Sequence, residues 1–299
     1  MNFDEIFSHL NNKMVALSIS RAADETVLRP VLRLMEEYNI SIYLVDDENR
    51  LKQLLESMGT AYPEHPDIYI YHAESDDESA EIAVGLAADG TCDILMKGAV
   101  STSVILKAVL NKSHDLVYNG LLSHVALFDV PSYHKSFILT DAAMNIAPGV
   151  EEKMGIINNA VDFAHSLNIG RPKVALLSAV EKINPKISST VDAKEVIQRI
   201  YEGNMRQFIV DGPLQYDLAV SREAAAVKNI DSEVAGDADI LIAPQIESGN
   251  ILYKSLVYSA GARVAAVIVG AKVPIVLTSR ADSAEDKFNS ICLAMKSLS

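Results

Sequence analysis

Short apolar runs rich in β-branched residues stop abruptly at a polar turn, and a helical pattern follows; this recurrence narrows the possible folds more than any other feature of the chain. Met14–Ser20, Ile40–Val45, Ile68–Tyr71 and Asp93–Met96 read as strands. Between them Asp24 opens a helix whose Val27, Leu28, Val31, Leu32, Leu34 and Met35 recur at helical spacing, with Pro30 as a kink or a late start. Glu48–Met58 and Ser75–Ala88 are the next helices. Strands alternating with helices specify a parallel, doubly wound α/β sheet.

The alternation breaks once. Val125–Val130 and Phe137–Leu139 flank the turn Pro131–His134 as a hairpin would, so a domain change is expected near there. Helix Glu151–Ser166, strand Val174–Ser178, helix Ala193–Tyr201, strands Phe208–Asp211 and Asp239–Ala243, a helix from Ile251, and strands Val264–Val269 and Pro274–Leu277 resume it. At 299 residues, 49% hydrophobic, the chain is long enough for two α/β domains with a cleft between them.

Ligands of open α/β sheets lie beyond the carboxyl ends of strands, against helix N-termini. The run Pro274–Asp286 concentrates chemistry at such a place: apolar Ile275, Val276 and Leu277 give way to Thr278, Ser279 and Arg280, then to Asp282, Ser283, Glu285 and Asp286. Two readings stand side by side. Asp282…Glu285 or Ser283…Asp286 resembles a capping box; Arg280, misplaced for capping at a positive helix end, suits an anion site. Lys97–Ser103 (KGAVSTS) repeats the theme, with Gly98 and the hydroxyls of Ser101, Thr102 and Ser103 before the helix Val104–Leu110. It lacks the P-loop pattern and also suits an ordinary turn with a cap.

Other chemistries are absent. There is no HExxH, CxxC, GxSxG or post-strand GxGxxG, and the seven histidines lack ligand spacing, so no metal site is expected. His134 reads as a turn or structural histidine, and Asp46-Asp47 and Asp76-Asp77 as solvated faces or caps. A net charge of −14 argues against nucleic acid or an anionic membrane as partner. The two cysteines, Cys92 and Cys292, read as small buried hydrophobes and suit a reducing cytoplasm. MNFDEIFSHL has no basic region before an apolar run, so no secretory signal is expected, and no apolar run approaches the roughly 20 residues of a membrane span.

Five stretches together carry a resemblance: KGAVSTS (Lys97–Ser103), TDAAMNIAP (Thr140–Pro148), DGPLQYDLAV (Asp211–Val220), ESGNILYK (Glu247–Lys254) and TSRADSAED (Thr278–Asp286). The chain resembles the phosphotransacylases of the phosphate acetyltransferase and phosphate butyryltransferase family, in the family's order over about two thirds of its length. Ser123–Asn145 together with KGAVSTS is more similar to the butyryltransferase branch. The resemblance implies the reaction acyl-CoA + phosphate ⇌ acyl phosphate + CoA, with coenzyme A as substrate and no tightly bound cofactor. It implies a fold like that of isocitrate and isopropylmalate dehydrogenases, and a homodimer or higher homo-oligomer. In that fold the last segment returns to the first domain, which places domain one at 1–118 plus 270–299 and domain two at 119–269.

The family's catalytic aspartate lies seven residues after its serine, which here implies Ser279, Arg280 and Asp286. Asp286 would take the proton of the CoA thiol, which calls for burial of the carboxyl or a well-held thiol. Ser279 would donate to the carbonyl oxygen as charge builds there, and Arg280 would hold phosphate by its planar fork. Gly98, Ser101 and Thr102 resemble the loop that faces phosphate. Asp141, Asn145, Gly212, Gln215, Asn250, Tyr253 and Lys254 fall in the other matching stretches as substrate-binding candidates. Two departures are visible. The acetyltransferases carry S-R-G-C where this chain has Ser279-Arg280-Ala281-Asp282, and an arginine in the helix after the glycine loop where Lys107 is the nearest basic residue. A phosphate acetyltransferase, or a protein that binds a phosphorylated ligand without turnover, are the alternatives.

Overall fold

The computed structural model describes residues 3–7, 10, 14–59, 62–117, 120–279 and 282–298. Helix α1 (Phe3–Phe7) precedes the alternating series β1 (Val15–Ser20), α2 (Glu25–Glu37), β2 (Ile40–Asp46), α3 (Glu48–Met58), β3 (Ile68–His72), α4 (Asp76–Ala88), β4 (Ile94–Lys97) and α5 (Thr102–Val109). The hairpin β5 (Ser123–Asp129) and β6 (Phe137–Thr140) follows, then α6 (Val150–Ser166), β7 (Lys173–Leu177), α7 (Ser188–Glu202), β8 (Ile209–Leu214) and the short α8 (Tyr216–Val220) and α9 (Arg222–Val227). The chain ends through β9 (Ile240–Ile242), α10 (Ile246–Ala260), β10 (Arg263–Val269), β11 (Ile275–Val276) and α11 (Ala284–Ser297). Residues group into two compact units: 9–120 with 265–299, and α1 with 121–264.

In the first unit the strands run β3-β2-β1-β4-β11-β10. All neighbouring pairs are parallel except β10 with β11. The register pairs Ile19 with Leu44 on one side and with Met96 on the other. Ser18 and Ser20 alternate with the apolar residues of β1, yet both are fully buried. They are small enough for α4 to lie close above, presenting Ser79, Ala80 and Ala83. Ser18 donates to the Ala83 carbonyl at 2.9 Å, and Ser79 donates to the Val45 carbonyl at 2.9 Å. Pro30 lies inside α2 and is buried.

In the second unit the order is β5-β6-β9-β7-β8, antiparallel across the hairpin and parallel elsewhere. Several element ends differ from the sequence reading. β8 continues past Asp211 to Leu214, with an irregular register against β7 between Ala175 and Leu177. A Cβ on Gly212 would lie 2.6 Å from the Leu176 Cβ, so only glycine fits that close approach. α10 starts at Ile246, not Ile251, so Glu247–Asn250 are its first turns and not a loop. The helices α1, α8 and α9 are too short for a periodic pattern and were not expected.

Candidate active site

The first unit brings the KGAVSTS loop to the end of β4. Gly98 is required there by the chain itself, because a Cβ would sit 2.4 Å from the Arg21 carbonyl oxygen and 2.5 Å from that of Ser20. The N–H groups of Gly98 and Ala99 donate to those same two carbonyls, both at 2.8 Å. The close approach therefore serves the turn. Ser101 caps α5 by accepting from the Val104 N–H at 3.3 Å, and its hydroxyl lies 3.0 Å from that of Ser103. Ser101 and Thr102 are exposed. Lys97 is buried and reaches the Gly98 and Val100 carbonyls at 3.2 and 3.3 Å, a cation stitched under the loop. Lys107 is on the surface, 3.1 Å from Asp77.

Arg21, not anticipated, follows β1 in a left-handed conformation (φ 52°) and bridges Asp46 and Asp76 at 2.8 Å each. Asp46 is therefore no solvated carboxylate: it is 2% exposed and also accepts from the Ala23 N–H. Asp47 caps α3 as expected.

Beyond β11, Ser279 is exposed and its N–H donates to Asp282 at 2.6 Å. Arg280 lies outside the described residues. Asp286 is half-buried and closes a capping box on α11: its Oδ2 accepts from the Ser283 hydroxyl at 2.7 Å and the Ser283 N–H at 3.2 Å, while its own N–H donates to Ser283. One carboxylate oxygen is thus held in place by the cap.

In the second unit Asp141 is buried and accepts four hydrogen bonds, from the N–H groups of His124, Ala143 and Met144 and from the Asn145 amide at 2.6 Å. Asn145 also donates to the Leu122 carbonyl, so the two side chains lock one turn. Asn250 donates to the Ala142 carbonyl at 3.2 Å. Gly249 beside it would place a Cβ 2.3 Å from the Asp141 carbonyl oxygen, which seats α10 on the same turn. Tyr253 packs edge-on to Phe128 at 5.2 Å, with the Lys254 ammonium 4.9 Å from its ring centre. Gln215 accepts from Lys228.

A hollow of about 780 Å³ opens within this unit beyond the ends of β7 and β9. Its wall includes Lys153, Ser178, Ser189, Asp192, Gln245 and Ser248, with Leu177 and Leu252 as apolar cover. Asp141, Asn145, Gly212, Gln215, Asn250, Tyr253 and Lys254 do not line it, but their neighbours Ala147, Tyr216, Ser248 and Leu252 do. Burial raises the pKa of the Tyr216 phenol, which stays a neutral donor. The hydroxyl run Ser188-Ser189-Thr190 that opens α7 was a readable signal of the same kind as Ser101–Ser103.

The sequence pattern of the family described as Phosphate acetyl/butaryl transferase matches residues 71–295. The chain belongs to this family. Acyl transfer between coenzyme A and phosphate, the phosphotransacylase reaction, is accordingly its chemistry. A phosphotransacylase relative from Bacillus subtilis, named probable phosphate butyryltransferase, is 49% identical over 95% of this chain and 93% of its own length. The crystal structure of a branched-chain phosphotransacylase from Enterococcus faecalis V583 is similar at a TM-score of 0.84 and 38% identity, covering 95% of this chain and 99% of the other. A 4-hydroxythreonine-4-phosphate dehydrogenase from Klebsiella pneumoniae, 12% identical, shares the α/β fold at a TM-score of 0.58 over 96% of this chain and all of its own, which places this phosphotransacylase on a dehydrogenase-like fold. Among the described residues no group of three or more His, Cys, Asp or Glu could hold a metal ion, and no helix is long and apolar enough to cross a membrane.

Proposed function

We propose that the chain moves a butyryl group, or a branched acyl group of similar size, between coenzyme A and inorganic phosphate. The observation that carries this reading is the 49% identity, over 95% of the chain, to a relative named for phosphate butyryl transfer. The Ser279–Asp286 turn supports it chemically.

In the direction of acyl-CoA synthesis, Asp286 takes the thiol proton of coenzyme A, because the thiolate is the nucleophile. Sulfur then bonds to the acyl carbon of the acyl phosphate. The Ser279 hydroxyl donates to the carbonyl oxygen as it gains charge. The carbon–oxygen bond to phosphate breaks, and phosphate leaves, held by Arg280 and by the loop of Gly98, Ser101 and Thr102. No acyl-enzyme forms. The capping box suits this role: Ser283 grips Oδ2 of Asp286 and so orients the carboxylate, as a base fixed by its neighbour requires. Coenzyme A enters as a substrate, and the chemistry asks for no tightly bound cofactor. A homodimer or larger homo-oligomer in the cytoplasm completes the reading, and the two buried free thiols, Cys92 and Cys292, are compatible with that compartment.

The test is purified protein with phosphate and, separately, butyryl-, isobutyryl- and acetyl-CoA, with free thiol followed over time. Thiol release with butyryl- or isobutyryl-CoA, faster than with acetyl-CoA, is the expected result. Faster release from acetyl-CoA moves the chain to the acetyltransferase branch, and no release from any of the three overturns the reading.

A further inference from the structure

Lys97 is the last residue of β4, a central strand with β1 on one side and β11 on the other. Its side chain is 6% exposed. Withdrawing an ammonium from water is unfavourable, and a methionine of similar shape would fill the same space without that penalty. Lys153, buried in the second unit, meets a carboxylate, Asp192, at 2.6 Å. Lys97 instead donates to two carbonyls of the loop that follows it, those of Gly98 at 3.2 Å and Val100 at 3.3 Å. Both are neutral acceptors, so these bonds bring a full positive charge under the loop. Lys107, the basic residue of α5, is engaged on the surface by Asp77.

The two bonds also fix which way the loop's peptide groups face. In a trans peptide the C=O and the N–H point in opposite directions. The Gly98 carbonyl is drawn to Lys97, and the N–H of the same peptide, that of Ala99, donates the other way to Arg21 at 2.8 Å. The Val100 carbonyl is drawn to Lys97 likewise, which turns the Ser101 N–H away from the ammonium, toward the exposed side where Ser101 and Thr102 stand. The neighbouring strand adds a third element. β11 runs parallel to β4, with Leu95 level with Ile275 and Met96 with Val276. The loop after Lys97 and the turn that carries Ser279 therefore leave adjacent strands at the same edge of one sheet.

We propose that Lys97 is a positioning residue of the acyl-transfer reaction: from beneath, it holds the KGAVSTS loop with its N–H groups turned outward to receive phosphate, and its buried charge favours the anion that settles there. In a site away from bulk water such a charge is screened little. The inference rests on the reading that gives Gly98, Ser101 and Thr102 the phosphate, and it adds the residue that sets their geometry.

The test is Lys97→Met, which keeps the length of the side chain and removes its charge and its donors. In thiol-release assays with butyryl-CoA, the KM for inorganic phosphate should rise about tenfold or more while the KM for butyryl-CoA stays within about twofold. A variant that is only less well folded has fewer active molecules, which lowers kcat and leaves both KM values in place. Phosphate alone should raise the melting temperature of the wild type and not that of the variant, since a ligand stabilises only a form that binds it. Ser101→Pro is the companion change. Ser101 has φ −71° and ψ 148°, angles that proline adopts, so the substitution deletes the outward N–H and keeps the path of the backbone. It too should raise the KM for phosphate.

Contrary results separate the two readings. If Ser101→Pro raises the KM for phosphate and Lys97→Met does not, Lys97 is a stitch and nothing more, and the loop remains the phosphate site. If Lys97→Met raises it and Ser101→Pro does not, the orienting mechanism is overturned. If both keep the wild-type value, phosphate binds away from this loop, and the inference falls together with the role given to Gly98, Ser101 and Thr102. A raised KM for butyryl-CoA alone would move Lys97 to the other substrate and end the proposal. A wild type that releases no thiol from any acyl-CoA sinks both readings.

Discussion

The two units treat the carboxyl edge of their strands differently. In the unit of 9–120 and 265–299, polar residues at strand ends are spent on the chain's own backbone: Asp24, Asp47, Ser75, Ser101 and Ser283 cap helices, and Gly98 lets a loop rest on Ser20 and Arg21. In the unit of 121–264 the long helices α7 and α10 start without a hydrogen bond from the N-cap side chain, and at α6 the Glu152 carboxylate accepts the Gly149 N–H at 2.6 Å. A cap is a satisfied hydrogen bond, and it hides the charge that an anion would seek. The difference teaches that a Ser or Asp at a helix start is an ambiguous mark of function until its hydrogen bonds are located in space.

The strongest way to break the comparison is at Asp286, where capping and catalysis make separate predictions. Asn at that position still offers a carbonyl oxygen to Ser283, so stability should change by less than about 1 kcal/mol. Turnover should fall by about a hundredfold or more, because an amide cannot accept the thiol proton. Ser279→Ala should lower turnover by about a hundredfold through the lost carbonyl donor. Thiol-release kinetics beside urea unfolding read both. If Asp286→Asn unfolds more easily yet turns over normally, the residue is a cap and nothing more.

Next in size are the two glycines that seat a turn in each unit. Gly98→Ala and Gly249→Ala force a Cβ toward backbone oxygens 2.4 and 2.3 Å away. Each should cost about 2–3 kcal/mol in urea unfolding, because backbone cannot yield as a side chain can. A cost of less than about 0.5 kcal/mol at either would show that its turn shifts freely.

The smallest effect concerns the edge of the second unit away from the hollow. Burial disfavours the charge of Asp237, yet hydrogen bonds from Lys173, His134 and Lys135 outweigh it and hold the carboxyl far below its usual range. His134 is thus the structural histidine that the sequence suggested, 2.8 Å from Asp237. A carboxyl depressed in the folded state contributes stability that is complete above its unfolded pKa and drains away as pH falls toward the folded one. Asp237→Asn should therefore cost about 1–2 kcal/mol at neutral pH. The gap from wild type should narrow only below the ordinary value of 3.8, as paired urea titrations across pH would show. A gap that closes at neutral pH would remove the charge network from the account.

Much of the fold was legible in the residues. The apolar runs of β1, β2, β3 and β4 are local signals, as are the caps at Asp24, Asp47 and Ser75, and the hairpin turn between Val130 and Phe137 ended the alternation where expected. Both cysteines are buried, which pushes each thiol up to about 12 and keeps it unreactive. The misreadings share one cause. Gly249 and Asn250 looked like loop residues, yet they sit in the first turns of α10. Glycine is there because the Asp141–Ala142 backbone passes too close for a Cβ, and Asn250 because Ala142 offers its carbonyl. Asp46 looked solvated because its partner Arg21 is 25 residues away in the chain.

What the sequence determined by itself was the order of strands and helices, the family, and the Ser279–Asp286 turn, since each depends on residues close together along the chain. Only the tertiary structure decided which polar groups were already spoken for. Hydrogen bonds and electrostatic fields act across a few ångströms of space, so Lys153 meets Asp192 and Gly249 meets Asp141 whatever the separation in sequence.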